Sequence, residues 1–394
     1  MPEGIALFLD AGLQMTCAVG QFSQLLFRGI QQHSPATTFA LSLTRTDGRL
    51  RDIWHSVGSA DNIVCNFPIV AWKQVIFRPL LSMAIARLRG KRVILILHEW
   101  GSLHWLRRLT YIPALLSANV IVMFSPLVQS ELESERFIGR WANKSVLAPL
   151  PPNIDAAQGT AASALQLRLA NARSDGRLII GCFGSIYPGK QPQALLNITA
   201  ALKRRGFNPL TVYVGSFIRG LDKVEEEFYN RITELDISND VIVSGFVRSE
   251  PELFGLLSEV DVFCYPLEEG LSARRASILA SIQSGRPIVA TSPARADEFD
   301  HHRRYKQLID NGLITLVPRD LDSDAFAEAV VSVAKMPTVG APFDFQGWWD
   351  DVVVAIDQHL RRASQHVPSK NKAPEIVNFA SPKRCVNGGS GPFG

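Results

Sequence analysis

The stretch 260-VDVFCYPLEEGLSARRASILASIQSGRPIVATS-292 decides the fold. It opens on a short apolar run rich in β-branched and aromatic residues, turns at Pro266 through Glu268-Glu269-Gly270, and passes a doubled arginine, Arg274-Arg275. A small-residue segment with helical character follows, punctuated by Gly285-Arg286-Pro287 before a second β-branched run. Strand, turn, helix and strand in about thirty residues is the unit of a parallel sheet, because parallel neighbours require a crossover. The turn also poses an electrostatic question. With Ser272 as the predicted N-cap, the amides from Gly270 to Arg274 are expected to point out of a helix N-terminus, where a phosphate is stabilised. Two guanidiniums add fork-shaped donors for phosphate oxygens. The carboxylate of Glu269 belongs in such a place only if it faces positive charge or sugar hydroxyls. A surface turn closed by a salt bridge is the alternative.

Working outward, similar runs recur along nearly the whole chain. In the first half they are 5-IALFLD-10, 38-TFALSL-43, 62-NIVCNF-67, 92-RVILILH-98, 119-NVIVMFS-125 and 145-SVLAPL-150; in the second, 178-LIIGCFGS-185, 210-LTVYVGSF-217, 241-VIVSGFV-247, 261-DVFCYPL-267, 287-PIVATS-292 and 313-LITLVP-318. Continuous apolar runs of this length suit strands buried on both faces, and the helical spacing between them predicts doubly wound α/β sheets. The proline-rich stretch 149-PLPPNID-155 reads as a joint between two sheets of about six strands each. The predicted organisation is a first domain over 1–155, a second over 156–345, a closing helix over 346–363 and a polar, disordered tail over 364–394. Ligands of such sheets bind beyond the carboxyl ends of the strands, so the strand-to-helix turns are the places to look for chemistry.

Composition narrows the class. At 394 residues with 46% hydrophobic and 20% charged residues, the chain reads as a globular protein of two domains. Five scattered cysteines without CxxC spacing point to a reducing, cytoplasmic setting and away from a zinc site or disulfide frame. The N-terminus lacks a secretory pattern, and the most hydrophobic window, 111-YIPALLSANVIVMFSPLV-128, is broken by two prolines and divides into a helix end and a strand. Residues 1–170 hold 16 Lys/Arg against 10 Asp/Glu, whereas the remainder is slightly acidic. An anionic partner on the first half and an uneven solvated surface both explain this.

A second turn, 181-GCFGSIYPGKQPQ-193, repeats the strand–glycine–lysine–helix order. It is not a P-loop, since Lys190 is followed by Gln191. Taken together, 184-GSIYPGKQ-191, 241-VIVSGFV-247, 260-VDVFCYP-266 and 269-EGLSARRASILASIQSGRPIVAT-291 resemble the donor-domain motifs of retaining GT-B glycosyltransferases, particularly family 4, over roughly residues 177–320. The resemblance implies two Rossmann-like domains facing across a cleft. It also implies transfer of a sugar from a nucleoside diphosphate sugar to an acceptor hydroxyl, with retention, in polysaccharide or glycoconjugate assembly. Lys190 falls on the family's diphosphate lysine and Glu269 on its first glutamate, close to the transferred sugar. Gly184, Ser185, Gly245, Gly270, Leu271, Ser272, Arg274, Arg275 and Ser277 complete the implied donor contacts. The family's second glutamate falls on Ser277 and its arginine on Ser185, which puts donor affinity or identity in doubt. Arg274 or Arg275 is expected to replace that arginine.

The first half resembles the acceptor domain more loosely. His98, ending a strand, is expected to contact sugar or acceptor, while Gly12 and Gly20 suit the acceptor-side loop. No Asp-x-Asp or metal cluster adjoins the turns, so neither metal nor cofactor is expected. Helix 78–92 reads as ordinary core packing. For helix 103–116, Trp105-Leu106-Arg107-Arg108 favours contact with an anionic membrane bearing a lipid-linked acceptor. The run 301-HHRRYK-306 reads as a solvated helix start. Two other classes stay open: a degenerate GT-B protein that binds without turnover, and a nucleic-acid binder. The second has only the charge asymmetry behind it, so no nucleic-acid partner is expected.

Overall fold

The computed structural model describes residues 5–10, 18–33, 37–43, 50–69, 72, 75–156, 161–218, 223–335 and 343–361. Gly12 and the tail over 364–394 lie outside them. The first sheet contains β1 (Ile5–Asp10), β2 (Thr37–Ser42), β3 (Asn62–Phe67), β4 (Arg92–Leu97), β5 (Val120–Met123) and β6 (Ser145–Leu147), in the order β2-β1-β3-β4-β5-β6. The second contains β7 (Leu178–Phe183), β8 (Pro209–Val214), β9 (Val241–Val243), β10 (Val262–Tyr265), β11 (Ile288–Thr291) and β12 (Ile314–Val317), in the order β12-β11-β10-β7-β8-β9. Every pairing is parallel. Strands β3, β5, β8, β10 and β11 are buried along their whole length, because helices cover both faces.

In the second sheet the chain runs one way from β7 through β8 to β9, then returns to lay β10 on the other side of β7. The turns after β7 and β10 therefore flank the point where the winding reverses, the crevice in which open α/β sheets bind ligands. This topology brings the two singled-out turns together.

The joint between the sheets is firmly held. Pro151, Pro152 and Asn153 are buried, Asn153 Nδ2 donates to Ala18 O (3.0 Å), and Gln283 clasps Ile154 O and Ala156 N. The closing helix, Phe345–Arg361, returns to the first domain. Trp348 lies in the core of the second domain, whereas the next residue, Trp349, packs on Phe22 of the first and donates to Pro152 O (3.0 Å).

The run 301–306 departs from the expected solvated start. His302 is buried and its Nε2 lies 3.1 Å from Leu150 O, His301 Nε2 lies 3.1 Å from Phe124 O, and Tyr305 is buried. Burial pushes the His302 imidazole down to about 4, so it is neutral near pH 7 and bonds the first domain as a dipole. Neighbouring histidines that read as polar decoration in fact face a domain interface.

Candidate functional site

After β7, Gly184 adopts φ +115° and a Cβ there would collide with Lys190 Nζ. Only glycine fits, because the backbone must turn left-handed and admit the ammonium. Lys190 ends a short 3₁₀ turn, Pro188–Lys190, and donates to Phe183 O at 3.1 Å. No described carboxylate pairs with it. Desolvation, together with Arg275 nearby, holds its pKa down at about 8 rather than 10.5, partly opposed by Cys182. Ser277 faces the same turn, its Cβ 3.2 Å from where a Gly184 side chain would begin. Gly184, Lys190, Arg275 and Ser277 thus converge from two segments about ninety positions apart in the chain. Ser185 is exposed at the rim and lines a small hollow with Lys190, Cys182, Cys264 and Tyr265.

The turn after β10 differs from the sequence expectation in one respect. The helix begins at Ala276 rather than Ser272, with Arg275 at the cap position. The amides expected to be free are engaged by the protein. Gly270 N donates to Leu267 O (3.1 Å), Leu271 N to Thr291 O (2.9 Å), Ala273 N to Glu298 Oε1 (2.9 Å) and Arg275 N to Ser272 O (3.1 Å). Arg274 N lies 3.5 Å from Ser272 Oγ. Gly270 has φ +75° and abuts the Ser292 carbonyl so closely that a Cβ has no room, while Leu271 is buried. The loop is stitched to the end of β11, and its anion-binding capacity rests on side chains and the first helical amides. Of those amides Ile278 N already donates to Arg275 O (3.2 Å), which leaves the ones of Ala276 and Ser277.

The question of the misplaced carboxylate resolves here. Glu269 Oε2 stands 3.1 Å from Arg274 Nη2 and 3.5 Å from Arg275 Nη2. The two arginine side chains are only 14% and 11% exposed, against 45% for the glutamate, and each keeps a buried Nε without a hydrogen-bond partner. Glu269 therefore opposes two largely desolvated guanidiniums, with the Lys190 ammonium near Arg275 and the buried Glu298 carboxylate bonded to the same loop, so that three cations outnumber two carboxylates. Buried donors without acceptors are costly, which is the condition of a site complementary to an anion. Further along the rim, Gly245 follows β9 with φ +73° and open space beside it.

Sequence reasoning missed Glu298. It is 1% exposed, yet its Oε1 accepts from Ser125 Oγ (2.6 Å), Ser272 Oγ (2.8 Å) and Ala273 N (2.9 Å), and Oε2 lies 3.4 Å from Leu127 N. Ser125 caps helix Pro126–Glu133 of the first domain. One carboxylate thus fastens the arginine-bearing loop to the opposite domain, and it has drawn the Ser272 hydroxyl away from capping. One of three acids in 293-PARADEFD-300, it carries no local signal of a partner about 170 residues away.

In the first domain, His98 follows β4, its ring 5.0 Å from both Phe22 and Phe124. Burial pushes it down to about 3. Asn66 Nδ2 is committed to Ser23 Oγ (3.1 Å), so Asn66 Oδ1 accepts from His98 Nε2 at 3.3 Å, and Nδ1 remains an acceptor. His98 is a neutral hydrogen-bonding group. Gly20 lies inside helix Ala18–His33. Among the described residues no group of three or more His, Cys, Asp or Glu could hold a metal ion, and no helix is long and apolar enough to cross a membrane.

Residues 177–336 match the model of a family described as glycosyl transferases group 1. The match spans 160 of the 394 residues and falls within the second domain. HepE of Anabaena, solved in complex with UDP-glucose, superposes with a TM-score of 0.58 at 16% identity over 92% of this chain and all of that one. A glycosyltransferase from Rickettsia africae gives 0.51 at 13% identity over 92% and 93% of the two chains. An E. coli trehalose-6-phosphate structure bound with UDP-2-fluoro glucose gives 0.53 at 12% over 93% and 100%. These likenesses show the GT-B fold: two Rossmann-like domains. No curated protein compared with the chain matches it significantly.

Proposed function

We propose that the chain is a glycosyltransferase whose second domain binds a nucleoside diphosphate sugar, and that the whole chain transfers the sugar with retention to an acceptor hydroxyl, in polysaccharide or glycoconjugate assembly. The observation that carries this reading is the convergence of Lys190 and Arg275 at the winding reversal of the second sheet, where Lys190, Arg274 and Arg275 outnumber the carboxylates of Glu269 and Glu298. The family match and nucleotide-sugar complexes on the same fold support it.

In such a reaction the bond from the anomeric carbon to the leaving diphosphate breaks toward an oxocarbenium-like state, and negative charge grows on the phosphate oxygens. Preorganised cations there stabilise the transition state more than the ground state. Lys190 and the Arg274/Arg275 pair fill this role, in place of a metal, and the small Ser277 keeps the wall near Gly184 open to the phosphates. Glu269 presents a carboxylate beside the arginines, where it can accept from sugar hydroxyls. His98, held neutral with Nδ1 free to accept, faces the sugar or acceptor as a hydrogen-bond partner rather than a base. The leaving diphosphate takes the acceptor's proton on the same face. Closing the domains over the crevice excludes water and limits hydrolysis of the donor.

The test is a thermal-shift panel of nucleotide sugars with a transfer and hydrolysis assay on the best ligand. A raised melting point for one nucleoside diphosphate family, lost in Lys190→Met, is expected. If no nucleoside diphosphate or its sugar shifts the protein, the reading is wrong. Binding without transfer or hydrolysis across acceptors assigns the chain to non-catalytic sugar-nucleotide binding.

A further inference from the structure

Three helices cover one face of the first sheet: Leu50–Ser59, Phe77–Leu88 and Trp105–Ser117. They lie side by side and share the large core cluster of that domain, whereas helix Ala18–His33 and the closing helix occupy the other face. Their inner faces are ordinary. Met83, Ala86, Tyr111, Ala114 and Leu115 are buried against the sheet, as expected for the first of the two basic helices.

Their outer faces are unusual. On Trp105–Ser117 the solvent stripe carries Trp105 (61% exposed), Leu106 (52%), Leu109 (52%) and Leu116 (49%), with Thr110 and Pro113 between them and no charge. On Phe77–Leu88 the stripe is Phe77 (56%), Leu81 (36%) and Leu88 (87%), at helical spacing. Trp54 adds a third exposed aromatic on the neighbouring helix, with the Arg89 guanidinium 4.5 Å from its ring centroid. Eight of the fifteen large hydrophobic residues exposed among the described residues sit on this single layer. Scattered exposed apolar residues are normal, but a contiguous set rimmed by polar groups marks an interaction surface.

The rim decides the partner. Asp52 is the one carboxylate in the three helices, whereas Arg51, Arg78, Arg87 and Arg107 lie in them and Arg89 and Lys91 follow directly; Arg108 is paired with Glu135 (2.7 Å) and does not count toward this excess. A protein interface of this apolarity would bring a defined pocket or complementary carboxylates. A flat layer of Trp and Leu with basic flanks fits the headgroup–acyl boundary of a bilayer, where indoles sit at the interface and Lys/Arg meet anionic lipid. We propose that this layer docks the protein peripherally on an anionic phospholipid surface, through shallow insertion of Trp105, Leu109 and Leu88. The inference stands apart from the donor site, which lies in the other domain.

Co-sedimentation of the full chain with vesicles tests it. Binding is expected with phosphatidylcholine containing about 30% phosphatidylglycerol, falling sharply in phosphatidylcholine alone or at high salt, since the Debye length shrinks to about 3 Å at 1 M. Trp105→Ser with Leu109→Ser should lower the partition coefficient at least about tenfold, as should Arg87→Glu with Arg89→Glu. The nucleotide-induced thermal shift should be unchanged in both, which separates loss of docking from loss of fold. Absence of vesicle binding by the unaltered protein overturns the proposal. So does sedimentation equilibrium showing a dimer that dissociates in the Trp105/Leu109 variant, which would give the surface to a second copy of the chain.

Discussion

Glu298→Ala measures how the cleft is fastened. Removing the carboxylate strands Ser125 Oγ, Ser272 Oγ and Ala273 N in a buried place, with the long contact to Leu127 N lost as well. Each buried donor left without an acceptor costs about 1–3 kcal/mol. The two hydroxyls are already 3.3 Å apart and can partly re-pair, so the expected loss is about 3 kcal/mol rather than the full sum. At roughly 2–4 °C per kcal/mol for a domain of this size, the melting point should drop by about 6–12 °C. Glu298→Gln retains an Oε1 acceptor, where all three short bonds converge, and gives up charge and the weak Oε2 contact. It should cost only about 1 kcal/mol. Because Ser272 and Ala273 precede Arg274, the alanine variant should also bind nucleotide diphosphate more weakly, and the glutamine variant should not. Differential scanning fluorimetry with and without nucleotide reads both. Equal melting points for the unaltered and alanine proteins, or a glutamine variant as damaged as alanine, would refute the account of Glu298 as an acceptor hub.

Other outcomes follow from the site. Lys190→Met should abolish the nucleotide-induced shift while leaving the unliganded melting point level or higher, because a desolvated ammonium without a carboxylate opposes folding. Calorimetric affinity for nucleotide diphosphate should fall as pH rises through about 8, where unliganded Lys190 sheds its proton. Its folded pKa lies below the 10.5 of a free lysine, so the unfolded chain binds more protons between those values, and this residue's contribution to stability rises over that window. Arg274→Ala and Arg275→Ala should each weaken donor binding about tenfold or more relative to Arg204→Ala, whose guanidinium pairs with Asp324 on the surface; equal dissociation constants in all three remove the arginines from the site. His98, pushed down to about 3, should contribute no titration to the rate between pH 5 and 8, whereas His98→Phe should lower turnover without altering donor affinity.

The strands were legible because β3, β5, β8, β10 and β11 are buried on both faces and so appear as unbroken apolar runs. The convergence of Lys190 and Arg275 was legible for a related reason: both follow strands, and the strand order makes β7 and β10 neighbours. What failed to show were partnerships that exist only once the sheets and the two domains are assembled. Ser272 looked like a cap because Ser before a small-residue helix normally is one, but Glu298 competes for its hydroxyl. The amides of Gly270 and Leu271 looked available because Leu267 O and Thr291 O come within reach only once the sheet is built. His301 and His302 looked solvated because their acceptors, Phe124 O and Leu150 O, lie 177 and 152 residues earlier. The outward apolar stripe on Phe77–Leu88 was hidden because a helix apolar on both sides reads the same as one packed on one side.

Adjacent indoles at Trp348 and Trp349 root the last helix in opposite halves of the molecule. Polypeptide therefore crosses between the halves twice, once at Pro151–Pro152 and once here, and the crossings touch through the Trp349–Pro152 bond. Two tethers side by side define an axle. Swinging about that axle is the relative motion that leaves both crossings intact, and it requires the Glu298 bonds to Ser125 and Leu127 across the domain boundary to part.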